Sequence, residues 1–510
     1  MNLYSLFDRE DLDRSRTFIA RPGRRPITYG QAFEAAARVA NAFVERGLRP
    51  GDRVAAQVEK SAEAIFLYLG CLRAGLVFLP LNTAYKLAEL EYFIDDASPG
   101  LVVASSSNAP ALSKICSKLG VDHFETLNAD GSGTLFELVN RQSAEHAAVE
   151  RSDSDLAALL YTSGTTGRSK GAMLTHGNLA SNCTALKALW EFSEKDVLLH
   201  ALPIFHTHGL FVALNVTLCA ASSVLLLSTF NASEAVRLLP QVTCMMGVPT
   251  FYTRLLDEAS LNRESTGNVR LFVSGSAPLL AETHVAWQQR TGHAILERYG
   301  MTETNMNASN PYSGSRRAGT VGLPLPNVEI RIADEEGRAV GQGSVGMIQI
   351  RGPNVFKGYW NMPAKTAEEF TSDGYFISGD LGKFDEDGYL SIVGRAKDLI
   401  ISGGYNVYPK EIELEIDRMP GVVESAVVGL PHPDFGEGVV AVVVPCTQGT
   451  LDEKNIVFAL KDRLASYKLP KRVFFVSDLP RNAMGKVQKK LLRDRYAEEF
   501  SARPSAAVRR

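Results

Sequence analysis

β-rich apolar runs and helical patterns take turns along most of this chain, and that alternation constrains its fold more than any other feature. "RVAAQV" (53–58) is followed by "SAEAIFLYLGCLRAG" (61–75), and "LVVAS" (101–105) by "APALSKICSKLG". "VTCMMGVP" (242–249) precedes "TFYTRLLDEA", and "VRLFVSGSAPL" (269–279) precedes "LAETHVAWQQRTG". A parallel strand pair needs a crossover long enough to hold a helix, so this order predicts α/β layers with largely parallel sheets.

Past Asn327 the texture changes. Short strands separated by Gly-rich turns appear, in "VEIRIA", "GMIQIRG", "GYFISGD" and "GKFDEDGYLSIVG", and they read as an antiparallel subdomain. A smaller α+β unit then begins, with a helix from Pro409, strands in "VVESAVVGL" and "GVVAVVVP", and a helix near 452–465. The expected fold class is α/β. A large N-terminal domain (1–394) holds the layered sheets and the small antiparallel β subdomain. A hinge (395–397) leads to a small, mobile α+β C-terminal domain (398–510). The closing "SARPSAAVRR" is expected to fray.

Composition excludes some classes. A net charge of −3 gives no global field toward nucleic acid or an anionic membrane. The six cysteines form no CxxC pair, so neither a zinc knuckle nor a thioredoxin-type motif is visible, and scattered single thiols fit a reducing cytoplasm. The N-terminus lacks the apolar core of a signal peptide. Gly209–Ser233 carries no charge, but Asn215, Thr217 and Asn231 interrupt it. It reads as a buried helix, a turn and a buried strand rather than a membrane span.

"YTSGTTGRSKG" (161–171) follows the predicted strand "LAALLYT". A Walker A loop needs G-x-x-x-x-G-K-[ST]. Counted from Gly164 the second glycine falls on Ser169, and from Gly167 on Ala172, so neither register fits. The glycines would still let backbone N–H groups converge on a phosphate, and Thr162, Ser163, Thr165 and Thr166 add hydroxyls. Arg168 and Lys170 add charge. The next helix is expected only from Thr175–Asn178. On spacing alone a Gly/Ser/Thr surface turn stays open.

This stretch closely resembles the signature loop of the adenylate-forming superfamily of acyl-CoA synthetases, peptide-synthetase adenylation domains and luciferases. Four further segments match in order: "RYGMTE" (298–303), "GYFISGD" (374–380), "GRAKDLIISGGYNVYP" (394–409) and "LPRNAMGKV" (479–487). The resemblance covers about residues 20–495 and implies a ligase that uses ATP, Mg²⁺ and coenzyme A. It implies that Thr162, Ser163, Gly164, Thr165, Thr166, Gly167 and Lys170 hold phosphates. Ser276, Ala277, Pro278, Glu297, Arg298 and Tyr299 would frame the nucleotide, and Asp380 with Arg395 its ribose. Glu303 and Thr166 would serve the metal, a carboxylate being a hard oxygen ligand. Thr302, Glu303 and Lys486 would be catalytic and Lys397 the hinge. Gly403, Gly404 and Tyr405 would border the thiol channel. Read without the resemblance, Lys486 is an ordinary surface lysine.

The acid is read from the region that lines the acyl site in relatives. His206 and His208 lie there, with no third residue at metal-ligand spacing. Arg254 is the group for a second carboxylate, because its guanidinium can bind one bidentately. Spacing alone equally allows a helix ion pair with Asp257 or Glu258. "HTHGLF", "MGVPTFYTRLL", "SGSAPLL" and "ERYGMTETNMN" resemble superfamily members that activate a dicarboxylic acid, with the matching arginine on the distal carboxylate. Malonate is therefore the expected acid and methylmalonate a further one, in a short pocket closed by Asn305 and Met306. Another acid such as oxalate, a carrier-protein-loading adenylation enzyme, a luciferase-type oxygenase and a nucleotide sensor are the alternatives. A lysine acyltransferase acting on Lys486 is an expected partner, because acylation removes the charge.

Overall fold

The computed structural model describes residues 1–162, 169–446, 451–482 and 485–500. The terminal "SARPSAAVRR" and the core of the glycine-rich stretch, Ser163 to Arg168, lie outside the described residues. The chain divides into two compact units, Met1–Ile330 with Ile350–Phe376 and Arg331–Gln349 with Ile377–Arg510.

The first unit is built on two sheets. The nine-stranded sheet runs Leu323–Pro324, Asn305–Ser309, Leu296–Met301, Leu271–Ser274, Cys244–Gly247, Val197–His200, Ser223–Leu226, Thr17–Arg21, Arg24–Thr28. Its six central strands are parallel, and antiparallel partners close both ends. The six-stranded sheet runs His123–Thr126, Leu101–Ala104, Arg53–Gln57, Val77–Pro80, Leu156–Thr162, Lys170–Thr175, and its first five strands are parallel. Its last two strands pair antiparallel, with Thr162 opposite Lys170.

Helix Ala62–Arg73 is apolar on all sides and buried from Ala62 to Leu72 except Glu63, as a helix packed on every side must be. Its Tyr68 ring lies 5.4 Å from Phe78 of the six-stranded sheet and 6.1 Å from Phe211. The Tyr68 hydroxyl donates to Asn215 Oδ1 at 3.1 Å. The uncharged stretch after Gly209 forms a π-helix (His208–Leu214), a short α-helix (Asn215–Ala220) and strand Ser223–Leu226. Among the described residues no helix is long and apolar enough to cross a membrane.

A four-stranded sheet takes Glu329–Ala333, Gly346–Arg351, Phe376–Phe384 and Leu390–Arg395 in that order. The segments "GYFISGD" and "GKFDEDG" contribute to one continuous strand, because no chain reversal falls between Asp380 and Phe384. In the second unit, Val422–His432 and Gly436–Pro445 form a long antiparallel pair, joined by Ile400–Ser402, Tyr405–Val407 and Arg472–Phe475. Helices Pro409–Asp417 and Glu453–Leu460 contribute Ile412, Ile416, Ile456 and Leu460 to a core with Val427, Val439 and Ala441.

Gly209 lies in the first turn of the π-helix, directly after His206 and His208. A Cβ there would lie 2.1 Å from the Pro203 carbonyl oxygen, so backbone would have to move. Gly209→Ala is expected to cost about 1–3 kcal/mol by overpacking and to lower activity with it. Thermal melting and turnover measured together check this.

Candidate active site

The site of the first unit gathers at the carboxyl ends of parallel strands, where ligands bind in open α/β sheets. Strand Leu271–Ser274 runs out into Gly275 and Ser276. Ser276 holds a φ of +71°, a left-handed conformation uncommon outside glycine and concentrated at functional turns. The His208 Nδ1 lies 3.2 Å from its Oγ. The π-helix that begins at His208 thus delivers an imidazole to the predicted nucleotide wall, and such helices recur at functional sites. Burial, reinforced by Arg298 and the His206 and His200 rings, holds the His208 pKa well below its ordinary value, so the ring is neutral. The backbone N–H of His208 donates to His206 Nδ1 at 3.2 Å. Ala277 is half-buried and Pro278 exposed.

Side chains alternate faces along strand Leu296–Met301, and this divides the predicted nucleotide contacts. Glu297 and Tyr299 share one face and Arg298 takes the other. Glu297 is buried, with Oε1 3.7 Å from His284 Nδ1 and 3.4 Å from the Gly319 N–H. Tyr299 is 8% exposed. Arg298 is 4% exposed, and its Nε and Nη2 have no partner among the described residues. Gly275 makes room for it, since a Cβ there would lie 2.3 Å from the guanidinium carbon. Burial lowers the Arg298 pKa to about 9. His208 Nε2, Ser274 Oγ, Thr304 Oγ1 and both amide atoms of Asn305 are likewise buried without a partner among the described residues. Unpaired buried polar groups each cost about 1–3 kcal/mol, so a concentration of them marks a place built for a polar ligand.

A tight turn carries Thr302, half-buried, and Glu303, 7% exposed, into strand Asn305–Ser309. Asn305 adopts a φ of +50°, which asparagine tolerates better than most residues. Met306 is buried against Gly300, and its N–H and carbonyl bond the Asn182 side chain at 3.3 and 2.8 Å. The Glu303 carbonyl accepts the Phe356 N–H at 2.8 Å, and the Tyr359 hydroxyl meets Glu303 Oε1 at 3.1 Å. Hard carboxylate oxygens of this kind fit Mg²⁺. Among the described residues there is no group of three His, Cys, Asp or Glu arranged to hold a metal, so substrate phosphates and water would supply most of its ligands.

Thr162 and Lys170 stand at the two feet of the glycine-rich stretch, held opposite each other by the strand pair. Ser163, Gly164, Thr165, Thr166 and Gly167 lie outside the described residues. Lys170 Nζ pairs with Glu369 Oε1 at 2.7 Å. The helix follows as expected, His176–Leu189 capped by Thr175, but sequence reasoning missed the strand Lys170–Thr175 before it. Its β-branched and aromatic content is low, and only pairing makes it a strand.

Arg254 sits in the last turn of helix Pro249–Leu256 and is exposed. Among the described residues no ion pair joins it to Asp257 or Glu258, so the helix ion-pair alternative is not adopted. Sequence reasoning found Arg298 only as a motif member and missed its isolation. The Gly275 beside it was the available signal.

In the second unit, Asp380 is 4% exposed and its Oδ1 lies 2.9 Å from Arg395 Nε across the Phe376–Phe384 and Leu390–Arg395 pair. Lys397 lies in a short 3₁₀ turn, and burial lowers its pKa with Arg395 adding to the effect. Gly403 and Gly404, with φ of +59° and +80°, form the two-residue turn of a hairpin, a geometry that favours glycine. Tyr405 is exposed and stacks on Tyr467 at 4.5 Å. Lys486 lies in a loop closed by Asn482, whose Oδ1 accepts the Lys486 N–H at 3.0 Å. Burial chiefly, with Arg395 and Lys397, lowers its pKa to about 8, against the pull of Asp380 and Asp398.

Residues 9–360 match the family model of AMP-binding enzymes, and residues 411–486 match the model of the AMP-binding enzyme C-terminal domain. The chain belongs to the AMP-binding enzyme family. ATP-bound MatB from Rhodopseudomonas palustris is 57% identical with a TM-score of 0.96, over 98% of this chain and 99% of that one. A malonate–CoA ligase of Arabidopsis thaliana is 36% identical over 92% of this chain and 84% of its own length. An oxalate–CoA ligase of the same plant is 34% identical over 94% and 95%.

The Lys486 shift has a consequence for pH. An ammonium whose pKa is lowered to about 8 in the folded chain loses its proton as pH rises through that value. If Lys486 must be charged, kcat/KM for adenylate formation falls above about pH 8, because this ratio reports the free enzyme. Lys486→Arg is expected to move that limb out of range. A pH–rate profile of both proteins checks it, and an identical limb in each would rule Lys486 out.

Proposed function

We propose that this chain is an AMP-forming malonate–CoA ligase, converting malonate, ATP and CoA to malonyl-CoA, AMP and diphosphate, with methylmalonate a further substrate. The observation that carries the choice of acid is the buried Arg298, whose Nε and Nη2 have no partner among the described residues. A monocarboxylic aliphatic or aromatic acid would leave that guanidinium desolvated and unpaired. A second carboxylate supplies the missing acceptor and raises the depressed pKa again. In this reading Arg298 and Arg254 are the two cationic groups for the distal carboxylate, and His206, His208 and Met306 shape the pocket around it.

The chemistry runs in two halves. A malonate carboxylate oxygen attacks the α-phosphorus of ATP, the bond to diphosphate breaks, and malonyl-AMP forms. The CoA sulfur then attacks the acyl carbon, and AMP leaves with the electron pair of the C–O bond. Mg²⁺ bound to ATP supplies charge neutralisation on the phosphates. The protein contributes position and fixed charge. Thr162 and Lys170 with the glycine-rich stretch between them strap the phosphates, and Ser276, Ala277, Pro278 and Tyr299 bound the adenine. Asp380 and Arg395 accept and donate at the ribose. Thr302 orients an α-phosphate oxygen, and Glu303 holds the metal side. Lys486 offsets the negative charge that builds up in the first half-reaction. Gly403, Gly404 and Tyr405 border the path of the pantetheine thiol. Residues 395–397 are the pivot between bodies 1–394 and 398–510, with Lys397 in its short turn. We assign the reaction to a reducing cytoplasm, in keeping with five buried free thiols and one exposed. Acylation of Lys486 by a lysine acyltransferase would neutralise it and act as an off-switch.

The acid is tested by AMP release with CoA across malonate, methylmalonate, oxalate, acetate and benzoate, with malonate expected to lead. Arg254→Ala and Arg298→Met are each expected to lower kcat/KM for malonate by about 10- to 150-fold, the worth of one charged hydrogen bond, with KM for ATP unchanged. Wild-type malonate turnover in both variants would overturn the dicarboxylate reading.

Lys486→Ala is expected to stop adenylate formation and to leave thioester formation from preformed malonyl-AMP largely intact. Equal loss of both half-reactions would refute that role.

A further inference from the structure

Tyr359 belongs to none of the motifs above, yet it sits between two of them. It is 2% exposed. Its hydroxyl lies 2.7 Å from Glu369 Oε2 and 3.1 Å from Glu303 Oε1. Glu369 Oε1 in turn lies 2.7 Å from Lys170 Nζ and 3.4 Å from Lys365 Nζ. The Lys170 ammonium stands 4.0 Å from the centre of the Tyr359 ring, within cation–π range. The side chains therefore form a line of Lys170, Glu369, Tyr359 and Glu303, in which the phenol joins two carboxylates and its ring floors the lysine.

The backbone repeats the connection. The Phe356 N–H donates to the Glu303 carbonyl at 2.8 Å, and the Met173 N–H donates to the Gly358 carbonyl at 3.0 Å. The Lys357 N–H reaches the Met173 carbonyl at 2.9 Å, and the Trp360 N–H reaches the Gly171 carbonyl at 2.7 Å. Segment 356–360 is thus laced to the strand that leaves the glycine-rich stretch and to the turn that bears Glu303. Gly171 allows the approach, since a Cβ there would meet Trp360 Cβ at 3.3 Å.

We propose that Tyr359 is a positioning residue that holds the Glu303 carboxylate for the magnesium ion and couples it to Lys170 on the phosphate strand. The inference rests on the roles given above to Glu303 and Lys170. A phenol has one proton. Here Glu369 Oε2 at 2.7 Å and Glu303 Oε1 at 3.1 Å share that one proton as acceptors, so the hydroxyl ties the two carboxylates to a common point. Glu369 and the lysines pin the phenol from the other side, and an anion that draws on Lys170 is felt at Glu303 through this line. Partners that orient a ligating side chain from behind are typically worth about 10- to 100-fold in metal affinity.

The test is an electron paramagnetic resonance titration of Mn²⁺, standing in for Mg²⁺, against the full-length protein with a nonhydrolysable ATP analogue. Tyr359→Phe keeps the ring under Lys170 and removes only the hydroxyl. It is expected to weaken Mn²⁺ binding about 10-fold or more and to raise the Mg²⁺ concentration for half-maximal turnover, with kcat largely restored at saturating Mg²⁺. Glu369→Gln, which unpins the phenol without touching it, is expected to weaken Mn²⁺ binding by a smaller factor, about threefold. Unchanged Mn²⁺ affinity in a Tyr359→Phe protein that melts like the wild type overturns the proposal. So does a rate deficit that excess Mg²⁺ does not relieve. If Tyr359→Phe fails to fold, unchanged affinity in Glu369→Gln overturns it instead. Glu303→Gln separates the underlying reading: full Mn²⁺ affinity in that variant means Glu303 is not the metal carboxylate, whatever Tyr359 does.

Discussion

In the dicarboxylate reading, the acid side depends on a cation kept out of water with no counterion among the described residues. Arg298 is buried, its Nε and Nη2 lack partners among the described residues, and burial lowers its pKa to about 9. Such a group is costly in the free protein, and an anionic partner would offset that cost. Much of the surrounding architecture serves to maintain that condition. Gly275 leaves the space for the guanidinium, and strand alternation turns Glu297 toward His284 and away from Arg298. Burial keeps His208 neutral, so it adds a polar contact without a second buried charge. Selectivity in this account is a penalty built in advance against acids that cannot satisfy the site.

The phosphate side follows another logic. Lys170 and Glu303 are far apart in sequence, and each could be placed independently by its own strand. Instead, segment 356–360 bonds Glu303 through backbone and side chain and bonds Gly171 and Met173 on the strand that begins at Lys170, whose ammonium lies over the Tyr359 ring, so their separation is set once. In a reaction whose catalysis is mostly positioning, a shared brace of this kind reduces the reorganisation left to the moment of attack.

Much of the fold was legible beforehand. The parallel strands at 53–57, 101–104, 244–247 and 271–274 stand where the apolar runs placed them, because fully buried strands must be continuously apolar. The uncharged stretch after Gly209 forms helices, a turn and a buried strand. Three things escaped. Strand Lys170–Thr175 has weak intrinsic preference and exists through its pairing with Leu156–Thr162. The strand Phe376–Phe384 read as two because its glycines resemble turns. Tyr359 looked like one aromatic among many, since nothing local signals that its hydroxyl meets Glu303, 56 positions away.

For the site, motif order gave the expectation of which residues to place, and residue type gave what each could do. A carboxylate, an ammonium or a glycine declares its chemistry wherever it stands. By itself the sequence determined the α/β layering, the order of the nucleotide motifs and the presence of one arginine, Arg254, suited to a second carboxylate. Only the tertiary structure decided which arginine is buried and unpaired and which stands in solvent, that Glu297 and Arg298 face opposite ways, and that Tyr359 joins Lys170 to Glu303. The reason is physical. Burial, pairing and desolvation are properties of neighbours, and the neighbours of Arg298 and Tyr359 are assembled from segments that meet only when the sheets close.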